Sequence, residues 1–199
     1  MNPDSTDMNS ITGGDNSTGA SALKVLRSVR VSNRGAEVDG ELVSGADVTG
    51  LYREFIGDYP KFFKMDALCK LGFVAAELLL VNIPADRLED AAIVLFNRNG
   101  SLVTDRNYQK TIGDTDYFPS PALFVYTLAN IVTGEIAIRH KIYGESSFYV
   151  ADSYDRDEVL ERAAECYLTS TPSMIITGWV DWNDSGDYLA EFQLITKLY

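Results

Sequence analysis

The sequence predicts an α/β fold: a mostly parallel, five-stranded mixed sheet flanked by helices and led by an N-terminal hairpin. Three observations predict it. Candidate strands and helices alternate until a final antiparallel pair, an order that sets parallel strands side by side with helices on their faces. Residues 91–96 form a continuous apolar run of strand length, as suits the centre of a sheet covered on both faces. From residue 65 to residue 80 only Asp66, Lys70 and Glu77 are charged, and all three share one narrow strip of a helical wheel. Such a helix is enclosed on most sides. A length of 199 residues with 46% hydrophobic content suits one domain with a sizeable core.

Taken in order, residues 1–21 are polar, glycine-rich and almost free of large apolar groups, so they are expected to stay disordered outside a domain spanning 22–199. They lack the basic start and apolar run of a secretory signal. Residues 23–31 place Val25, Val29 and Val31 on one face, Ser32-Asn33-Arg34-Gly35 reads as a turn, and 36–43 as the returning strand. Residues 47–56 read as a short helix capped by Asp47, stopped by the extended link at Tyr59-Pro60. After the central run, 97–105 is a polar turn containing Asn99-Gly100. Residues 106–113 add one or two helical turns, and 114–121, with two prolines, crosses as a loop.

Residues 128–142 wind into a helix on which Leu128, Ile131, Val132, Ile136, Ile138 and Ile142 share one arc, predicted to be buried. Glu135 and Arg139 lie inside that arc, four residues apart, with the spacing of an ion pair. A short strand over 147–151 follows, then a helix over 155–168 that opens on Asp155 and Glu158 as a variant capping box. Val159, Leu160, Ala163, Cys166 and Tyr167 are its inward residues. Residues 173–182, the turn 183–186 and the return 188–196 complete a hairpin.

The net charge of −12 gives no grip on phosphate backbones or anionic lipid, so neither nucleic acid nor a membrane surface is an expected partner. The apolar run 71–83 is broken by Glu77 and too short to span a bilayer, and a soluble, cytoplasmic protein is expected. Two cysteines make no disulfide framework and suit a reducing compartment. His140 is the only histidine, which excludes a multi-histidine metal site within one chain, and no Gly-x-Gly-x-x-Gly loop occurs. No metal and no cofactor are expected.

Several short stretches carry a family resemblance in a fixed order. They are Lys64-Met65-Asp66 opening the apolar helix, Thr127-Leu128-Ala129-Asn130, Gly134-Glu135-Ile136-Ala137-Ile138-Arg139 with Gly144, and Ile175-Ile176-Thr177-Gly178-Trp179-Val180-Asp181. Over residues 23–181 the chain resembles the β-ketoacyl synthases and their chain-length-factor relatives of the thiolase superfamily. The resemblance implies a thiolase-like fold, which consists of two halves related by duplication, with this sequence covering the first. The family's two active-site histidines lie in the other half.

In active members a nucleophilic cysteine follows the strand matched by residues 148–151. Here the turn reads Ala151-Asp152-Ser153-Tyr154-Asp155, a degenerate nucleophile position near Asp152 and Ser153. The carboxylates of Asp155, Asp157 and Glu158 suit a helix N-terminus, yet they would raise the pKa of a thiol there and repel an acyl oxyanion. By resemblance, Tyr117, Phe118, Phe124 and Tyr126 are candidates to face an acyl chain or a partner, with Glu135, Arg139 and Phe148 beside them. The resemblance therefore implies a non-catalytic, chain-length-factor-like subunit. It would form a heterodimer with an active ketosynthase through residues 147–151, in polyketide or fatty-acid-type elongation such as aryl polyene synthesis, meeting the acyl carrier protein only indirectly. Two other expectations stand beside it: a weak acyltransferase of the 3-oxoacyl-carrier synthase type, or a decarboxylase, using Ser153 or the Glu135/Arg139 pair; and a self-associating structural module forming a homodimer.

Overall fold

The computed structural model describes residues 23–113 and 119–198. Its sheet has seven strands: β1 (Leu23–Ser32), β2 (Gly35–Val38), β3 (Glu41–Ser44), β4 (Ala92–Asn97), β5 (Ser146–Val150), β6 (Ile175–Trp182) and β7 (Tyr188–Lys197), in the order β3-β2-β1-β7-β6-β4-β5. The expected count of five is therefore too low, and only part of the sheet is parallel. β4 pairs in parallel with β5 and β6, while β1–β2, β2–β3, β1–β7 and β6–β7 are antiparallel.

Two local facts account for the difference. The stretch expected as one strand over 36–43 folds back at Asp39-Gly40, where both residues have positive φ, as a two-residue hairpin between right-twisted strands requires. β1 then leaves its hairpin to pair along most of its length with β7, a partner more than 150 residues away that no local pattern announces.

Helices α1 (Val48–Phe55), α2 (Ala67–Leu79) and α5 (Ile131–His140) share one core with the sheet, and α6 (Arg156–Thr169) covers the β4/β6 part of the opposite face. Their starts follow from sequence. Asp47, Asp66 and Asp155 each accept backbone N–H groups of the first turn: Gly50 at 2.7 Å, Cys69 at 2.8 Å, and Asp157 and Glu158 at 2.9 and 3.2 Å. No bond returns from the Glu158 carboxylate to Asp155 among the described residues, so the capping box over 155–158 is only half made.

α2 is the enclosed helix its composition predicts, with ten buried residues, although it begins at Ala67 after a short 3₁₀ turn over Pro60–Lys64. Between β4 and α5 lie α3 (Leu102–Gln109) and the five-residue α4 (Pro121–Val125). Tyr117 and Phe118 lie outside the described residues, as does the polar tail. Among the described residues no helix is long and apolar enough to cross a membrane, and no cluster of three or more His, Cys, Asp or Glu could hold a metal ion.

Two glycines set the position of the elements discussed next. A Cβ on Gly72 would lie 2.3 Å from a Val132 methyl, so α5 can rest on α2 only without one. A Cβ on Gly144 would lie 2.2 Å from the Ala91 carbonyl oxygen, where the chain passes close to the start of β4 before entering β5.

Candidate interaction surface

Two places bear on function: the turn after β5, and the sheet edge that β5 itself forms. At the turn, Ala151 N–H donates to the Asn97 carbonyl at 2.8 Å and brings Asp152 and Ser153 to the C-terminal ends of the parallel strands. An open cleft of about 340 Å³ lies there, lined by Arg98, Asp152, Ser153, Tyr154, Trp179 and Tyr188 among others. Several of its polar groups are already engaged. Asp181 accepts from Arg98 N–H, Asn99 N–H and the Asn99 amide, and Tyr154 donates to Glu191 at 3.2 Å. Burial, with the Glu191 carboxylate beside it, pushes the Tyr154 phenol up to about 12, so it remains a protonated donor.

No base touches the Ser153 hydroxyl among the described residues. The lone histidine sits in the other layer, on α5, with His140 Nε2 3.2 Å from Glu77 Oε1. Neither cysteine substitutes for a nucleophile. Burial and then Asp66 hold the Cys69 thiol well above its ordinary value, and burial with Glu145 raises Cys166 to about 11. Thiols held in this state are poor nucleophiles at neutral pH.

The β5 edge has a different character. β4 pairs with one side of β5 in unbroken register from Ile93↔Ser146 to Asn97↔Val150, and among the described residues no strand pairs with the other side. Its sequence, Ser-Ser-Phe-Tyr-Val, contains no charge and no proline. Phe148 is half-buried against the core. Tyr149 stacks on Phe96 at 4.9 Å, and Val150 is 66% exposed. Of the eighteen exposed large apolar side chains among the described residues, seven fall between residues 121 and 150: Phe124, Val125, Leu128, Ile138, Tyr143, Tyr149 and Val150.

The expected apolar arc of α5 is therefore split. Val132, Ile136 and Ile142 are buried and Ile131 is half-buried, but Leu128 and Ile138 face solvent, Ile138 at 65% exposure. The charges of α5 face the other way. Glu135, 4% exposed, does not pair with Arg139 as its spacing suggests. Its carboxylate lies 2.8 Å from Lys61 Nζ, with the approach of an ion pair rather than a well-aligned hydrogen bond, and accepts from the Tyr126 hydroxyl at 3.4 Å.

Arg139 instead binds Glu77 at 2.7 Å and Asp58 at 2.8 Å, over the ring of Tyr59. Burial alone would raise the Glu77 carboxyl, but the His140 imidazole 3.2 Å away and the bonded Arg139 outweigh it and hold the group below the usual range. Glu145 accepts from the Thr169 and Ser170 hydroxyls. Glu135 and Arg139 are thus committed to partners within the chain, and the exposed apolar side chains of this stretch lie beside two surface charges, Lys141 and Glu145.

Of the residues singled out from sequence, Phe124 is exposed, Phe148 lies on the edge strand, and Tyr126, Glu135 and Arg139 belong to the layer beneath. Val150 falls within the 147–151 strand expected to meet a partner, whereas sequence reasoning missed Val125, Ile138 and Tyr143. Their signal was the lack of any covering element in the local sequence, which periodicity does not report.

No family model matches the sequence, and no curated protein matches it. Solved structures do. The ishigamide ketosynthase/chain length factor matches 88% of this chain and 62% of its own, at TM-score 0.68 and 17% identity. A ketosynthase (ApeO) in complex with its chain length factor (ApeC) from Xenorhabdus doucetiae matches 88% and 79%, at TM-score 0.62 and 13% identity. The type II polyketide synthase complex AntDE:AntF, a carrier protein with its hexaketide-bound ketosynthase, matches 88% and 62%, at TM-score 0.65 and 13% identity. The chain thus spans about three fifths of the length of the first and third of these. At such identities the likeness is one of fold, and the chain has the thiolase-like architecture of ketosynthases and chain length factors over that part of their length.

Proposed function

We propose that the protein is a non-catalytic, chain-length-factor-like subunit that docks its β5 edge onto an active ketosynthase and helps wall the partner's acyl tunnel. The observation that carries this reading is the uncharged, unpaired β5 with exposed apolar side chains along residues 121–150. An edge strand with open backbone groups adds a partner strand through main-chain hydrogen bonds, while side chains on either face supply selectivity. The matched structures, two of which are ketosynthases with chain length factors, support the kind of partner.

The turn after β5 supports the non-catalytic half of the reading. It offers a serine without a base at a helix N-terminus whose first turn carries Asp157 and Glu158, an arrangement that destabilises an oxyanion. The Glu135/Arg139 pair invoked for decarboxylation is not formed, because each side chain is held by other residues.

Co-expression with the ketosynthase encoded nearest to it tests the proposal. The expected result is a single co-eluting species with a product length that changes when this chain is withheld. Two separate elution peaks with unchanged product length would overturn it, and a tight homodimer indifferent to any ketosynthase would replace it with a self-associating module.

A further inference from the structure

In the Lys61–Glu135–Tyr126 cluster, Glu135 and Tyr126 are buried and Lys61 reaches the carboxylate from the surface. A buried carboxylate with one ammonium partner gives little net stability compared with an apolar side chain of similar shape. What it does fix is orientation. Glu135 comes from α5, Lys61 from the 3₁₀ turn before α2, and Tyr126 is the residue that closes α4. Three separate segments meet at one carboxylate.

Few other ties hold α4. Its five residues are all unburied, and Tyr126, 8% exposed, is the buried residue at its end. Among the described residues, the other contacts of the segment include Phe124 against Tyr108 at 5.5 Å, Ser120 N–H donating to the Thr111 hydroxyl at 3.0 Å, the Ser120 hydroxyl accepting from Leu123 N–H, and the Ser101 hydroxyl donating to the Thr127 carbonyl, all toward the surface or α3 rather than α5. The Tyr126 hydroxyl on Glu135 is thus the polar tie from this segment to α5. Burial and the Glu135 charge keep that phenol well above its ordinary pKa, so it stays a donor.

We infer that Glu135 is a positioning residue. Held by Lys61, it seats Tyr126 and so sets the α4 turn from which Phe124, Val125 and Leu128 project. That these three face a ketosynthase rests on the function proposed above; that the turn is set by Glu135 does not.

Amide hydrogen exchange on the purified full chain tests the inference, with Tyr126→Phe, Glu135→Gln and the double variant. Removing a bond to a buried charge is expected to speed exchange across residues 121–128 by about tenfold or more in each single variant, with α2 and the rest of α5 unchanged. Because the two groups act through one another, the double variant is expected to exchange no faster than the faster single one. Affinity for the ketosynthase should fall in step.

Unchanged exchange over 121–128 in both single variants would overturn the inference, as would additive effects or a loss of protection spread evenly over α2 and α5. If the wild-type chain binds no ketosynthase while the exchange pattern is as expected, the proposed function fails and the positioning role stands.

Discussion

The sheet ends in two edge strands that differ in how they meet solvent. β3 is four residues long, carries Glu41, and pairs with β2 through a register shift between Ala36 and Glu37. Short length, a charge and a bulge are the features that keep an edge from accepting another strand. β5, at five residues, is little longer, but it has neither the charge nor the bulge. It runs in regular register, without charge or proline, and ends in an exposed Val150 beside an exposed Tyr149. The contrast shows that exposed apolar area does not by itself mark a docking edge. Leu42 on β3 is as exposed as Val150 on β5, yet only the second belongs to an unguarded strand.

The sharpest way to break this comparison is to guard the open edge. The double substitution Tyr149→Lys/Val150→Lys should weaken ketosynthase binding by about 100-fold or more, at a stability cost of about 1 kcal/mol from the lost stacking of Tyr149 on Phe96. Leu42→Lys on β3 should leave binding within about twofold. Titration calorimetry of the two variants compares the edges directly, and equal losses would erase the distinction.

The support behind each edge differs as well. Gly144→Ala places a methyl 2.2 Å from the Ala91 carbonyl oxygen at the entrance to β5 and should destabilise the fold by about 2–4 kcal/mol in urea unfolding. Gly45→Ala follows β3 in open space and should change stability by less than about 0.5 kcal/mol.

A third difference is pH dependence behind the β5 side. Glu77, bound by Arg139 and His140, has a folded pKa below its ordinary value of 4.5, so its contribution is fully present above that value and is lost as pH falls through the lower, folded one. Unfolding measured below about pH 4.5 should show a steep acid limb that flattens in Glu77→Gln. The smallest expected effect is that of Ser153→Ala. Stability should change by less than about 0.5 kcal/mol and product length not at all, since the exposed Ser153 side chain has neither a base nor a buried partner.

What could be read from the sequence follows the range of the interactions involved. Asp47, Asp66 and Asp155 were legible as helix starts because a cap is settled within four residues. The enclosed α2 was legible because its sparse charges share one strip. The β1–β2 and β6–β7 hairpins were legible too, but the antiparallel pairing that joins them was not, because β1 meets β7 from the far end of the chain. Glu135 and Arg139 looked like partners because spacing describes only their own helix. Each found a partner more than 60 residues upstream instead, Lys61 for one and Glu77 for the other.

Periodicity also cannot tell an apolar face covered by its own core from one left for a neighbour. Ile136 and Ile138 read alike in the sequence and lie on opposite sides of that division.

The central claim is that β5, not β3, is the strand a ketosynthase covers. Amide hydrogen exchange of the full chain, alone and bound to that partner, measures it directly. The account predicts new protection at residues 146–150 on binding, with 41–44 unchanged; protection at 41–44, or none at 146–150 in a complex that has formed, would contradict it.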